Sequence, residues 1–194
     1  MIITPNLCNV WHLANDTLTL QTTKRQKTMT KTFSPKSPVF IYPFQNQISD
    51  SKSEEIISKC RQFLDQWKSH GSDLLSDVWI EENQFLIVAV DTTLSEPSGC
   101  SKDKLYHFAE SLKDLSDIQF GDIHKFWVKK EHKILNLTKK ELKENLENKS
   151  LSFDNQLFPL WISDFGQYTN LWAAPLLSFK AILKLEEKKS IFQG

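Results

Sequence analysis

The sequence predicts an α+β fold, because short β-branched or apolar runs alternate with two amphipathic helical patterns. Their order is strand, helix, strand, strand, helix, strand. That order is typical of the ferredoxin-like βαββαβ fold, whose antiparallel sheet carries both helices on one face. A helical and aromatic extension follows, so we expect a single α+β domain over residues 39–194.

Residues 1–38 precede this pattern and differ from it in composition. They are rich in Thr, Ser, Asn and Lys, show no sustained period and end in the proline-containing stretch 33–38. We predict a disordered tail, or an upstream extension of the gene start, with Met29 as the alternative first residue. A short partner-binding arm carrying Trp11 is the competing hypothesis.

The first strand and helix are predicted between residues 39 and 71. Val39–Tyr42 is a β-branched and aromatic run that Pro43 stops. Ser51–Glu54 has the pattern of a capping box, and Gly71 supplies a residue that ends a helix. The apolar stripe between them lies at helical spacing and contains Ile56, Ile57, Cys60, Phe63, Leu64 and Trp67.

Two extended runs follow, Asp77–Glu81 and Gln84–Val90, and the turn predicted between them is Glu82-Asn83. The second run is apolar from Phe85 to Val90, which predicts a central strand covered on both faces. We expect the aromatic C-terminal segment to cover the face that the helices leave open.

The second core helix is predicted from apolar residues at helical spacing, namely Leu105, Phe108, Ala109, Leu112 and Leu115. Ile123–Val128 and Lys133–Leu137 then predict a hairpin that supplies the fourth strand. Thr138–Glu141 is a second capping box and opens a short polar helix.

Composition excludes several classes of protein. Lys plus Arg equals Asp plus Glu, 24 against 24, so there is no net charge to attract nucleic acid. Cys8, Cys60 and Cys100 lack metal-ligand spacing, and no cofactor motif is present. The longest apolar run is too short for membrane insertion, and the N-terminus lacks a secretory signal pattern, which predicts a cytoplasmic protein.

The sharpest candidate for a functional site is Pro97-Ser-Gly-Cys-Ser101. A thiol at the start of a helix meets free N–H groups and the positive end of the helix dipole, which favours thiolate at Cys100. The same N–H groups could bind a small anionic ligand, with Lys102 adding charge. The residues assigned to ligand binding are Ser98, Gly99, Ser101 and Asp103.

The structural alternative for this segment is a strand-to-helix turn. Gly99 would then supply a positive φ, Cys100 a small half-buried side chain and Ser101 the N-cap. No phosphate-binding glycine motif occurs in the chain, which excludes a P-loop as far as sequence can.

His70 and Asp91 are the candidates to support Cys100 in catalysis. His70 is predicted at the end of the first helix, where the dipole stabilises imidazolium, and Asp91 ends the buried strand. Both also fit purely structural roles, in a helix end and in the start of a loop. The other histidines lack ligand spacing, so no metal is predicted.

Four segments together resemble a small uncharacterised bacterial family often labelled "ABC transporter ATPase". They are Val39–Tyr42, Trp67-Lys-Ser-His-Gly71, Phe85–Asp91 and Ser98–Asp103. The last three resemble the family's W-x-x-H-G, F-I-x-x-A-V-D and S-G-C-S-x-D signatures. The resemblance runs from about Val39 to Phe108. It implies a shared motif at the Ser98 turn, whereas the ATPase label finds no support in the residues themselves.

Two hypotheses of different class follow. The first is a binding or regulatory module that uses Ser98–Asp103 for a protein partner or small anionic ligand. The second is a thiol-dependent enzyme or redox sensor with Cys100 as its reactive thiol. The sequence leaves open whether the protein is an enzyme.

Overall fold

The computed structural model describes residues 33–185, which lie in one unit that begins at Phe33. The structure is a mixture of helices and antiparallel sheets, so the predicted α+β class is confirmed. In its first half the elements are β1 Val39–Pro43, α1 Asp50–Leu64, β2 Lys68–Ser69, β3 Ser72–Asp73, β4 Leu75–Glu81, β5 Phe85–Asp91 and α2 Gly99–Ser116.

The second half consists of shorter elements. They are β6 Phe126–Lys130, β7 Lys133–Leu137, α3 Lys139–Glu147, β8 Gln156–Phe158, α4 Phe165–Leu171, β9 Ala174–Pro175, a 3-10 turn Leu176–Phe179 and α5 Lys180–Leu183. Within residues 33–185, no helix has the length and apolarity needed to cross a membrane.

The central strand of the first sheet is β5. The sheet has the order β1-β5-β4 with antiparallel pairing throughout, and Val88 lies opposite Phe40 and Val78. Every residue from Phe85 to Val90 is buried. The prediction of a central strand covered on both faces is therefore confirmed.

One face of this sheet packs against α1 and α2. The shared core includes Ile56, Cys60 and Leu64 from α1 and Leu105 and Leu112 from α2. Burial of these side chains on a common face is the main contribution that holds the helices to the sheet. Helices and sheet thus form two layers around one core.

Aromatic residues of the C-terminal half cover the opposite face. The Phe85 ring lies 4.8 Å from the Phe158 ring, 5.1 Å from that of Trp172 and 5.7 Å from that of Trp127, measured between centroids. This confirms the expectation that the aromatic segment covers the face left open by the helices. Such a cover removes from water a strand that is apolar at every position.

A hydrogen-bond network crosses the same face. Trp79 Nε1 donates to the Tyr168 hydroxyl at 3.0 Å, and that hydroxyl donates to the carboxylate of Glu81. Trp172 Nε1 donates to the other carboxylate oxygen of Glu81. Buried aromatic side chains thereby find partners for their polar atoms, which burial without a partner would penalise.

The predicted fourth strand does not join the first sheet. The strand begins at Phe126 rather than Ile123, and it pairs with β7 and β8 in a separate sheet of order β7-β6-β8-β9. β1 instead meets the short segment after α2, where Gly121 N donates to Pro43 O at 2.8 Å. Trp127, fully buried against Phe85, is a large side chain whose burial requires β6 to lie across the face of the first sheet.

Two predicted helix boundaries are wrong. α1 begins at Asp50 because the Ser49 side chain accepts from Lys52 N, so the capping box predicted at Ser51–Glu54 does not form. The helix ends at Leu64, and Gly71 does not terminate it. The second capping box is confirmed at Thr138, whose side chain and that of Glu141 bond reciprocally to the backbone.

The structure describes the last six residues of the predicted tail, 33–38, and two of them are packed against the domain. Phe33 and Ser37 are buried, and Ser37 O accepts from Phe165 N at 2.8 Å. The prediction for residues 1–32, including Cys8, Trp11 and Met29, lies outside the described residues.

Candidate functional site

The candidate turn forms the first turn of α2, with Ser98 as its N-cap. Ser98 has extended backbone angles, and its Oγ accepts from Ser101 N at 3.2 Å. Ser98 O accepts from Lys102 N at 3.0 Å. The assignment of Ser101 as N-cap is therefore wrong by three positions, because the Ser98 hydroxyl reaches the N–H three residues ahead.

Gly99 is the first helical residue and does not have a positive φ. A Cβ built at Gly99 would meet no atom within 4 Å. The expectation that Gly99 supplies a left-handed turn is therefore wrong. Its backbone is one that any L-residue adopts.

Two residues at and just before β2, Trp67 and Ser69, hold the turn in place through hydrogen bonds. Trp67 Nε1 donates to Ser101 O at 2.9 Å, and Ser98 N donates to Ser69 Oγ at 3.2 Å. Ser101 is itself buried, and its hydroxyl donates to Ser98 O at 2.8 Å. Ser101 therefore acts inside the turn rather than on its surface.

Sequence reasoning missed Ser69 and the polar contact of Trp67. The prediction that Trp67 is a core residue is confirmed, since it is only 2% exposed. Both residues belong to the segment Trp67–Gly71 that carries part of the family resemblance. No local pattern in the sequence indicates either contact, because the bonded residues are 34 and 29 positions apart.

The outer surface of the turn presents two backbone N–H groups. Gly99 and Cys100 are exposed, and within residues 33–185 their N–H groups have no acceptor. The four leading N–H groups of any α-helix lack intrahelical partners, and here Ser98 satisfies that of Ser101. Gly99 and Cys100 therefore offer adjacent donors at the positive end of an 18-residue helix.

Cys100 is exposed, whereas Cys60 is buried in the core between α1 and the sheet. Burial raises the pKa of the Cys60 thiol to about 12, so that thiol stays protonated and inert at neutral pH. Of the two described cysteines, Cys100 is the one that reagents in solution can reach.

His70 does not lie at the end of a helix, so that expectation is wrong. It occupies the tight turn between β2 and β3, with φ 49° at His70 and 87° at Gly71. These angles and the pairing of Ser69 with Ser72 describe a two-residue hairpin turn. The His70 side chain is exposed.

Asp91 is the last residue of β5, opposite Leu75, and is half-buried. Its Oδ1 accepts from Thr93 N at 2.9 Å, the contact of an Asx turn that starts a loop. Asp103 is exposed on α2, two residues after the buried Ser101.

The structure brings the predicted residues to one end of the first sheet without joining their reactive atoms. The bond between Ser69 and Ser98 places the His70 turn beside the start of α2. Within residues 33–185, no hydrogen bond joins the Cys100 thiol to the His70 imidazole. The described residues also contain no cluster of three His, Cys, Asp or Glu side chains placed to hold a metal ion.

Comparison of the chain with family models, curated proteins and solved structures found no match.

Proposed function

We propose that the protein is a binding or regulatory module that recognises a small anionic ligand, or a partner carrying such a group, at the Ser98–Asp103 turn. The observation that supports this proposal is the pair of exposed N–H groups at Gly99 and Cys100. Adjacent N–H groups at a helix start suit a carboxylate or phosphate oxygen. The proposal includes no ATPase activity of the protein's own.

Rigidity supports the same proposal. The hydrogen bonds from Trp67 to Ser101 and from Ser98 to Ser69 hold the turn in place before any ligand arrives. A preformed set of donors loses less conformational freedom on binding than a mobile loop does. Lys102 adds a positive charge, and the exposed carboxylate of Asp103 is the group that a cationic part of the ligand would meet.

The test is an NMR titration of backbone amides with inorganic phosphate and, separately, with acetate. We expect the shifts to concentrate on the amides of Gly99, Cys100 and Lys102. Failure of both anions to move these amides at millimolar concentration would contradict the proposal.

A substitution at Gly99 sharpens this test. Gly99→Pro removes one donor while keeping the helix, because proline is favoured at the first helical position and Ser98, with ψ 167°, already has the backbone that must precede it. We expect anion affinity to fall about tenfold, the effect of one charge-assisted hydrogen bond. Gly99→Ala retains the N–H, so it is the matched control and should bind as the native chain does.

The second candidate function is a thiol-dependent enzyme or redox sensor, and it is favoured by the exposure of Cys100 beside the helix start. In the simplest reaction the Cys100 thiolate attacks a low-molecular-weight disulfide. A mixed disulfide forms, and the second sulfur leaves as a thiolate. His70 and Asp91 would act as supporting groups.

Alkylation by iodoacetamide at neutral pH tests this alternative. Cys100 should react faster than the cysteine of an unstructured Ser-Gly-Cys-Ser peptide, while Cys60 serves as the buried internal control. His70→Gln and Asp91→Asn should each slow the reaction. Equal rates for Cys100 and the peptide would eliminate the thiol-dependent reading.

We further propose that the chain is a divergent member of the bacterial family it resembles and that its core is a variant of the ferredoxin-like fold. The order β1-β5-β4 agrees with three strands of that fold, and residues 119–121 occupy the position beside β1 where the fourth strand would lie. The unpaired thiols of Cys60 and Cys100 are compatible with a reducing, cytoplasmic location.

A further inference from the structure

The strand β7, Lys133–Leu137, forms one edge of the four-stranded sheet. It contains no proline and no acidic residue, and its last four residues are half-buried. Leu135 and Leu137 pack against a second hydrophobic cluster, whose buried members include Val128, Leu142 and Leu157. An edge strand exposes backbone N–H and C=O groups that can pair with another chain.

The register identifies the groups that face outward. Lys130 pairs with Lys133 across a two-residue turn, so Lys133, Leu135 and Leu137 exchange hydrogen bonds with β6. The backbone groups of Ile134 and Asn136 then point away from β6. The alternation on β6 agrees with this, because the carbonyl oxygen of Lys129 points away from β7 and accepts from Asn155 Nδ2, just before β8, at 2.9 Å.

No described residue pairs with the outward groups of Ile134 and Asn136. A five-residue strand therefore offers two donors and two acceptors at the spacing of an antiparallel ladder. Backbone groups in this arrangement recognise an extended peptide rather than a helix or a small molecule.

The other edges of the two larger sheets, as far as residues 33–185 describe them, are protected. β1 ends in Pro43 and is bonded to Gly121, while β9 is the dipeptide Ala174–Pro175. On β4 the Asp77 side chain accepts from Val78 N at 2.8 Å, and Asp77 is itself buried in the strand. Proline, shortness and inward carboxylates are among the devices that prevent strand addition. Lysine is another, and on β7 it occurs only at the first residue, Lys133.

Charge indicates the kind of strand that fits. Lys133 begins β7 and Lys139 follows two residues after its end, and both are exposed. Neither forms an ion pair with a residue of the described chain. Lysines at both ends attract an acidic peptide, and they disfavour a second copy, which would bring its own lysines to the same edge.

We propose that β7 binds an extended acidic segment of a partner protein as an additional strand. The backbone groups of Ile134 and Asn136 supply the hydrogen bonds, and Lys133 and Lys139 select for carboxylates. This surface is separate from the Ser98–Asp103 turn and does not depend on the function proposed for it.

The test uses the synthetic peptide Glu-Thr-Val-Thr-Val-Thr-Glu and a version with lysine at both ends. We expect the acidic peptide to shift the amides of Ile134 and Asn136 and to bind about tenfold more tightly than the basic one. Lys133→Glu should reduce or reverse this preference. A peptide that leaves both amides unmoved at millimolar concentration would overturn the proposal.

Backbone pairing is tested by methylating alternate peptide nitrogens, which requires no change to the protein. Two peptides, methylated at odd or at even positions, should differ: one should lose about tenfold in affinity and the other should retain it, since only alternate N–H groups face the edge. Equal binding of both peptides and the parent would exclude strand addition.

Asn136→Pro provides the corresponding change in the protein. Its N–H faces outward, so proline removes a donor without removing a bond to β6, and peptide affinity should fall about tenfold while the amide spectrum elsewhere is retained. Concentration-dependent dimerisation with shifts at Ile134 and Asn136 would assign the edge to a second copy and overturn the acidic occupant.

Discussion

The fold does not require the conformational freedom of glycine at Gly99. It is helical, and the position of a Cβ is open. Because glycine loses more backbone freedom on folding than alanine, Gly99→Ala should raise the free energy of unfolding by about 0.5–1 kcal/mol. Chemical denaturation measures the change, and a lower stability would show that the turn requires glycine.

Gly121 is in the opposite situation. A Cβ there would overlap the ring of Trp127, a fully buried residue whose ring also contacts Phe85. Gly121→Ala should lower the free energy of unfolding by about 1–3 kcal/mol, since a packed ring cannot move without displacing its neighbours. Gly99→Ala is the control, and the same stability for both variants would contradict this account.

At the scale of single residues, sequence patterns located the start of α2 to within one turn but not its contacts. Ser98-Gly-Cys-Ser101 contains two serines that can cap a helix, and local preference does not separate them. Ser98 is the serine that caps the helix, and its backbone N–H donates to Ser69 Oγ, 29 positions earlier in the chain. A contact over that separation depends on how the sheet and α2 pack.

At the scale of elements, α1 and α2 are joined by a charged cluster around Glu55. Its carboxylate accepts from Lys52 at 2.7 Å, from Lys59 at 2.6 Å and from the Ser116 hydroxyl at 3.2 Å. Hydrogen bonds from Lys52 and Lys59 lower the pKa of Glu55 from 4.5 to about 2. The folded state therefore favours the ionised form.

The sign of the resulting pH dependence follows from linkage. Because the folded pKa is below the unfolded one, the stabilisation is present above pH 4.5 and is lost as pH falls from 4.5 toward 2. Glu55→Gln should thus be less stable than the native chain at pH 6, with the difference vanishing near pH 2. Denaturation at several pH values tests this.

The exposed neighbour Glu54 provides the control for that measurement. Glu54→Gln should leave the pH profile of stability close to that of the native chain. A Glu55→Gln profile that runs parallel to the native one would show that ionisation of Glu55 does not stabilise the folded state.

Elements were predicted best where signals were local and agreed with one another. The hairpin of β6 and β7 and the capping box at Thr138 involve residues close in sequence, and both form as expected. The start of α1 was missed because Ser49 and Ser51 are both suitable caps. Ser49 is used, and the buried Ser53 hydroxyl then donates to Asn83 Oδ1 in the β4–β5 turn.

At the scale of the whole molecule, the hydroxyl of Tyr168 joins the C-terminal half to β4. Tyr168→Phe would leave the buried indole N–H of Trp79 without this acceptor and remove a donor to Glu81. We expect the free energy of unfolding to fall by about 1–3 kcal/mol, the cost of an unsatisfied buried donor.

Tyr106 offers the matched control because it is 55% exposed. Tyr106→Phe should change stability by less than about 0.5 kcal/mol, as surface substitutions usually do. Thermal and chemical denaturation of both variants give the comparison, and a Tyr168→Phe protein as stable as the Tyr106→Phe protein would show that the network adds nothing.

The sequence by itself determined the α+β class, the central position of β5, the aromatic cover of its second face and, to within one turn, the start of α2. These features follow from periodicity and composition over a few neighbouring residues, and burial of a wholly apolar strand admits few arrangements. Only the tertiary structure decided that β6 leaves the first sheet, that His70 lies in a hairpin turn and that Ser69 and Trp67 anchor the candidate turn. Each depends on side chains far apart in sequence, such as Trp127 on Phe85, whose packing outweighs the local preferences of the segments that carry them.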